Sequence, residues 1–321
     1  MKGRLTVSDA DTMKAMRFHQ YGGSEQLVLE RVPRPVVQPG SVLVRVKAAG
    51  VNQWDWKLRS GALHQYMPVQ FPYIPGIELA GRVDEVGPGV AGFQRGEAVY
   101  GTGSGTTAEF AVVPGTGLAP MPKKLNFDQA AAAPIGSLTA WRALFDLANL
   151  QRGQRVLVLG AAGGVGSFAV QLAHWRGAHV IGTASSGNLD YVRSLGAEEA
   201  LDYQAVNVET AVRDVDVVLD TVGGSVGEQA LPVLRPGGLF LTSAGMPPQE
   251  PAQALGVRAA MVGAGDQAQN GDVLRQITEL IEAGGIKVHV SKVFPLAEAG
   301  RAHALSQEGH GRGRIVLHVA D

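Results

Sequence analysis

The chain has 321 residues, 45% apolar and 18% charged, which describes a globular protein long enough for two domains and excludes a disordered tail or a fibre. Its 28 Lys+Arg nearly balance 29 Asp+Glu, so it lacks the basic excess with which general nucleic-acid binders displace phosphate counterions. Zero Cys excludes disulfides, thiolate nucleophiles and every Cys-ligated zinc site.

Met1 to Met13 mixes Lys2, Arg4, Asp9 and Asp11 without an apolar core, so it does not read as a signal peptide. No run approaches the roughly 18 apolar residues that span a bilayer. The expectation is a flexible extension over residues 1–12 on a cytoplasmic protein with neither membrane nor nucleic-acid partners.

From Lys14 to about Pro134 the text is β-like. Ser41–Lys47 alternates apolar and polar residues, the two-residue period of a half-buried strand. Dense Gly and Pro punctuation between such segments suits an antiparallel barrel with irregular loops. From Ser137 the pattern changes. Leu138, Trp141, Leu144, Phe145 and Leu147 fall at helical spacing, and Gly153 closes the segment. Arg155–Leu159 is a short apolar run of the kind buried on both faces of a parallel sheet. A second helical stripe, Val165 to Ala173, stops at Gly177 and is followed by strands at His179–Ala184, Asp216–Asp220 and Gly238–Thr242.

A helix around Leu274–Ile281 ends this stretch. Strands at Ile286–Val290 and Arg314–Val319 then flank a helix near Leu296–Leu305. This α/β rhythm predicts a doubly wound Rossmann-type parallel sheet over 137–284, inserted in a β-rich domain formed by 13–136 plus 285–321. The cleft between the two is the natural ligand site.

The strongest chemical signal is Val156-Leu-Val-Leu-Gly160-Ala-Ala-Gly163-Gly164-Val-Gly166, a buried strand running into a glycine-rich turn that opens a helix. Gly163 lets the backbone approach a pyrophosphate, and the helix N-terminus offers it free N–H groups and a positive dipole end. Gly166 lets the helix pack close to the strand. Gly160, Ala162, Gly163, Gly164 and Val165 are therefore candidate cofactor-binding residues; the alternative is a tight β–α turn with no ligand. An NAD site usually places Asp or Glu at the end of the next strand. Here the strand ends Thr183-Ala184-Ser185-Ser186-Gly187-Asn188, with no acid. Ser185, Ser186 and Asn188 leave room for a 2′-phosphate and can donate to it, which favours NADPH. No Lys or Arg stands in this loop, and Arg193 lies further along the next helix.

The chain resembles the zinc-independent, quinone oxidoreductase-like branch of the medium-chain dehydrogenase/reductase superfamily, including its alkenal/enone reductases. The resemblance runs from Met16 to Val319 through Ala49-Gly-Val-Asn52-Gln-Trp-Asp55, Pro75-Gly-Ile-Glu-Leu-Ala-Gly81, Val83-Asp-Glu-Val-Gly87 and Gly92-Phe-Gln-Arg-Gly-Glu-Ala-Val99. It continues through Leu138-Thr-Ala-Trp-Arg-Ala-Leu144, Gly160–Gly166, Asp220-Thr-Val-Gly-Gly224 and Gly313-Arg-Ile-Val-Leu317. It implies a GroES-like β-rich domain and a homodimer paired along the edge strand at Val257–Gly263.

The family's zinc enzymes would need Cys where Asn52 stands and His at Ile77; an amide and an alkane cannot supply that ligand set. The resemblance further implies Thr139 at the nicotinamide carboxamide, Tyr203 near the adenosine phosphate, and Asn52 facing nicotinamide and substrate. Asn188 stands where relatives often carry Lys. Val222, Ser243 and Ala244, at strand ends, complete the expected cofactor contacts.

The expected activity is metal-free hydride transfer from NADPH to a quinone or to the C=C of an α,β-unsaturated carbonyl. Tyr66 and His64, in the Gly61–Pro72 loop, are candidate proton sources, and Tyr66 joins Asn52 as a candidate catalytic residue; the alternative is that both are surface loop residues without a role and water supplies the proton. The alternatives are a non-catalytic NADPH-binding regulator or scaffold, and an NADP-dependent reductase of saturated ketones. His174, His303, His310 and His318 show no metal spacing, and Glu78 reads as a buried or paired structural carboxylate.

Overall fold

The computed structural model describes residues 11–263, 265–309 and 311–321. Most of the expected N-terminal extension, and His310, thus lie outside the described residues. Thr12 already opens strand β1 (Thr12–Arg17), which pairs antiparallel with β2 (Val28–Pro33).

Two larger sheets carry the molecule. The first contains β3 (Ser41–Val51), β4 (Glu78–Val86), β5 (Ala98–Thr102), β6 (Phe110–Pro114) and β7 (Leu118–Pro120). The second is six-stranded: β8 (Arg155–Leu159), β9 (His179–Ala184), β10 (Glu199–Asp202), β11 (Val215–Asp220), β12 (Leu234–Thr242) and β13 (Arg258–Met261). The chain then returns to the first sheet with β14 (Val290–Pro295) and β15 (Arg314–His318), the latter antiparallel to β3. The first sheet is thus built from both ends of the chain.

All pairings of the second sheet are parallel, in the order β10-β9-β8-β11-β12-β13. The first strand in sequence therefore lies centrally, and the chain reverses its direction of winding between β8 and β11. That is the topological switch point, where doubly wound sheets bind ligands. Val156 to Leu159 are fully buried because helices cover both faces, which is why the strand reads as an unbroken apolar run.

Four helices matter to the site. α1 (Gln53–Ser60) ends at Gly61, whose φ of +83° suits glycine. α2 (Phe127–Ala131) leads through fully buried alanines, Ala130 to Ala133, into α3 (Pro134–Trp141). The expected boundary at 136/137 falls inside α3, which continues as a π-helical turn over Arg142–Leu147. α4 (Gly166–Arg176) follows the glycine-rich turn and ends at Gly177. Between the two sheets, buried Tyr100 donates its hydroxyl to the Leu274 carbonyl at 2.7 Å on helix Asn270–Glu282.

One expected strand is displaced. Ile286–Val290 joins no ladder before Val290, because the backbone at Lys287 is claimed by a side chain. Lys287 N–H donates to Gln171 Oε1 at 2.7 Å, and Gln171 Nε2 donates back to the Lys287 carbonyl at 3.1 Å. Those two bonds satisfy the peptide groups that a strand would have paired.

Candidate active site

The glycine-rich turn lies at the switch point. Gly160, with φ +73°, turns the chain directly after β8, and its N–H donates to Thr183 Oγ1 at 3.2 Å. A Cβ on Gly160 would come within 2.7 Å of Thr221 Oγ1, so β8 and β11 approach too closely there for a side chain. A Cβ on Gly166 would meet the Gly160 carbonyl oxygen at 2.2 Å, whereas one on Gly163 would meet only that oxygen, at 3.2 Å. Gly166 thus serves helix–strand packing, and Gly163 leaves an open approach to the backbone. Ala162 is buried, while Gly164 and Val165 are half-buried. No side chain caps the N-terminus of α4. Ser167 N–H and Phe168 N–H donate to the Gly163 and Val165 carbonyls at 3.0 and 3.1 Å, whereas the N–H groups of Gly164, Val165 and Gly166 have no partner among the described residues. With the helix dipole behind them they are open to an anion, and the turn fits a dinucleotide pyrophosphate.

The loop after β9 lies beside this turn, since Ala161 N–H donates to the Thr183 carbonyl at 2.9 Å. Asn188 Nδ2 donates to Ser185 Oγ at 3.0 Å, and Asn188 N–H donates to the Ser185 carbonyl at 2.8 Å. Ser186 and Tyr203 are exposed, and Tyr203 N–H donates to the Ala184 carbonyl at 3.3 Å. Arg193 is turned onto Asp190 at 2.8 Å. The cation that reaches this loop is instead Arg312, whose Nε donates to Asn188 Oδ1 at 2.9 Å. Sequence patterning alone misses it, because 124 residues separate the partners.

Beneath the turn lies a buried polar network. Arg314 donates from Nη2 to Glu78 Oε1, and to Asn52 Oδ1 at 2.7 Å. Asn52 Nδ2 donates to Glu78 Oε1 at 2.7 Å, and Glu78 Oε2 accepts from Ile135 N–H at 2.8 Å. Asn52 is only 5% exposed, and both ends of its amide are engaged. A Cβ on Gly164 would fall 2.7 Å from Arg314 Cδ, which puts the guanidinium stem directly under the glycine-rich turn. Asp55 accepts from Asn52 N–H at 2.8 Å. Burial pushes its carboxyl up to about 6, against those hydrogen bonds and the nearby Arg314. Burial likewise lowers the Arg314 guanidinium to about 10, which leaves it charged at neutral pH.

At the carboxyl ends of β11 and β12, a crevice of about 220 Å³ is lined by Asp220, Gly223, Phe240, Thr242, Gly245 and Met246. Asp220 organises its floor. One oxygen accepts from the N–H groups of Val222 and Gly223, each at 2.9 Å, and the other from Thr242 Oγ1 at 3.1 Å. Val222 is exposed beside the crevice, and Ser243 and Ala244 are half-buried. Ser243 N–H donates to the Asp220 carbonyl at 2.9 Å. Thr139 is half-buried on α3.

Tyr66 stands apart on the turn after α1, 83% exposed. His64 is held there by the Gly61 carbonyl at 2.8 Å. Glu78 is fully buried and paired, and His303 is buried.

The alcohol dehydrogenase GroES-like domain family matches residues 38–123, and the zinc-binding dehydrogenase family matches residues 195–317. Mouse quinone oxidoreductase is 34% identical over 324 residues, which cover 95% of this chain and 97% of the relative. The chloroplastic NADPH-dependent alkenal/one oxidoreductase of Arabidopsis thaliana is 35% identical, with 95% of this chain and 79% of the relative covered. Among solved structures, the quinone oxidoreductase from Coxiella burnetii superposes with a TM-score of 0.87 at 31% identity, over 96% of this chain and 99% of that one. The zinc in the second family's description does not carry over to this chain's ligand chemistry, because its 321 residues include no Cys, and Asn52 and Ile77 offer an amide and an alkane. With both sheets, the switch-point glycine turn and full-length relatives in agreement, this chain belongs to the medium-chain dehydrogenase/reductase superfamily, in its zinc-independent quinone oxidoreductase-like branch.

Proposed function

We propose that the protein is an NADPH-dependent oxidoreductase that reduces a quinone or the C=C of an α,β-unsaturated carbonyl without a metal. The observation that carries this reading is the uncapped N-terminus of α4 behind an open glycine turn, beside a loop of hydroxyl and amide side chains with no acid. In this reading residues 13–136 plus 285–321 form the substrate-side domain and 137–284 hold the dinucleotide.

When bound, NADPH supplies a hydride to the electrophilic carbon of the acceptor. Gly160, Ala162, Gly163, Gly164 and Val165 hold the pyrophosphate, and Ser185, Ser186, Asn188 and Tyr203 surround the adenosine ribose. Thr139, Val222, Ser243 and Ala244 orient the nicotinamide end. Asn52 keeps a second amide N–H beyond its bond to Glu78. That donor suits the oxygen on which charge develops, and Glu78 and Arg314 fix its direction. Delocalisation into the carbonyl or quinone lowers the demand on the site, which need only align the partners and supply hydrogen bonds. The completing proton comes from solvent, or from Tyr66 at the rim. A homodimer would form by pairing of the β13 edge, where Arg258 and Met261 are exposed.

Oxidation of NADPH by an enone and by a quinone, each with and without a chelator, tests the proposal. Turnover indifferent to the chelator is the expected result. Turnover that appears only on adding zinc, or no turnover with either acceptor despite tight NADPH binding, would overturn it; the second outcome favours the regulator.

A further inference from the structure

The loop that should receive an adenosine 2′-phosphate contains no cation of its own. Residues 184–188 are Ala, Ser, Ser, Gly and Asn, and the next basic residue, Arg193, is occupied by Asp190. A phosphate carrying close to two negative charges is poorly held by hydroxyl and amide groups alone. The structure supplies a cation from elsewhere. Arg312 sits in the segment between helix Ala299–Glu308 and β15, which belongs to the GroES-like sheet. Its Nε donates to Asn188 Oδ1 at 2.9 Å, and its Nη2 donates to the Gly187 carbonyl at 3.1 Å. The guanidinium carbon lies 4.7 Å from the centroid of the Tyr191 ring.

Three features suit this group to an anion. Among the described residues no carboxylate lies within ion-pair distance of Arg312, so its charge is uncompensated. Two of its five N–H donors are used, which leaves three in a planar fork that matches phosphate oxygens. The stacking on Tyr191 and the two bonds to the loop hold the fork in place before any ligand arrives, so little ordering entropy remains to be lost. Asn188 acts here as the bracket, with its Oδ1 on Arg312 and its Nδ2 on Ser185 Oγ.

We propose that Arg312 is the specificity-determining cation for the 2′-phosphate of NADPH, delivered across the cleft by the strand-β15 segment, with Asn188 positioning it. The proposal rests on the dinucleotide reading above. It makes cofactor choice depend on both halves of the protein, since the phosphate would bridge the Ser185–Asn188 loop to the chain leading into β15.

The test is equilibrium binding of NADPH, NADH, 2′,5′-ADP and 5′-AMP to the wild-type chain and to Arg312→Gln, Arg312→Lys and Arg193→Gln. Loss of one charged hydrogen-bonding group predicts about 10- to 100-fold weaker NADPH and 2′,5′-ADP binding for Arg312→Gln. NADH and 5′-AMP should stay within about twofold, Arg312→Lys should fall between, and Arg193→Gln should match wild type. A wild-type chain that binds NADH as tightly as NADPH would overturn the inference while leaving dinucleotide binding intact. So would an Arg312→Gln variant that loses NADPH and NADH equally, because that would mark a purely structural brace. A wild-type chain that binds none of the four ligands would overturn both readings.

Discussion

Arg314 and Glu78 form a fully enclosed ion pair that joins β15 to β4 directly beneath the glycine-rich turn. On the carboxylate side Glu78 also accepts from Asn52 Nδ2 and from Ile135 N–H, whereas Arg314 Nε is buried without a hydrogen-bond partner among the described residues. Removing one partner leaves a buried charge without compensation. Glu78→Ala should therefore cost about 3–5 kcal/mol, read as a lower urea midpoint at unchanged m. Replacing both partners by apolar residues of similar volume, as in Glu78→Leu with Arg314→Met, should recover much of that loss. If the double variant is no more stable than Glu78→Ala, the charge argument fails.

The two glycines of the turn should separate by phenotype. In Gly166→Ala the new methyl meets backbone, 2.2 Å from the Gly160 oxygen and 2.9 Å from Ala161 Cα, and neither can yield without moving β8. A loss of about 1–3 kcal/mol in unfolding free energy is expected. Gly163→Ala meets one oxygen at 3.2 Å and should unfold near the wild-type midpoint, yet bind NADPH at least tenfold more weakly, since its methyl occupies the anion's approach. Normal NADPH affinity in Gly163→Ala would remove the pyrophosphate from this turn.

How far the site could be read from the chain depended on how local each cause was. Arg155–Leu159 and Asp216–Asp220 announce themselves because strands covered on both faces must be apolar throughout. The turn from Gly160 to Gly166 is legible because its glycines answer local steric demands. The β-like text at Ile286–Val290 carries the same local signal, but Gln171, 116 residues from Lys287 in sequence, satisfies the Lys287 peptide instead. Arg312 carries no local signal for the same reason: its place beside Asn188 is created by the return of the chain to the first sheet. Asn52 stood out by resemblance alone. Its engagement by Glu78 and Arg314 is a tertiary fact that no spacing reveals.

Asp55 should leave a signature in the pH dependence of stability. Its carboxyl is raised from 3.8 to about 6, chiefly by burial. The folded state thus favours the protonated form, and the resulting stabilisation is complete below 3.8 and lost as pH rises through about 6. Asp55→Asn removes this term. Relative to wild type, its unfolding free energy should gain about 1.4 kcal/mol for each pH unit climbed within that window. Parallel curves for the two proteins would show that Asp55 titrates normally.

His303 should act with the opposite sign. It is held neutral, with its pKa lowered to about 3 by burial and then by the neighbouring Arg59. Stability from this group is complete above 6.5 and falls as the unfolded chain takes up a proton that the folded chain refuses. His303→Gln should flatten the acid limb between pH 6 and 4 by about 1.4 kcal/mol per unit, measured by urea unfolding. An unchanged slope would mean that the imidazole protonates in the folded protein.

Tyr66 tests where the last proton originates. Its hydroxyl has no partner among the described residues, and at 83% exposure the phenol is open to solvent. A positioned acid contributes about 10²- to 10⁴-fold to rate. A phenol free to rotate in water lacks that positioning, so Tyr66→Phe should lower kcat for an enone less than about threefold and leave the pH–rate profile unshifted. A hundredfold loss in kcat, with the alkaline limb removed, would instead make Tyr66 the acid. It would then require the Gly61–Pro72 loop to close over the substrate, because an exposed side chain has no other way to exclude competing water.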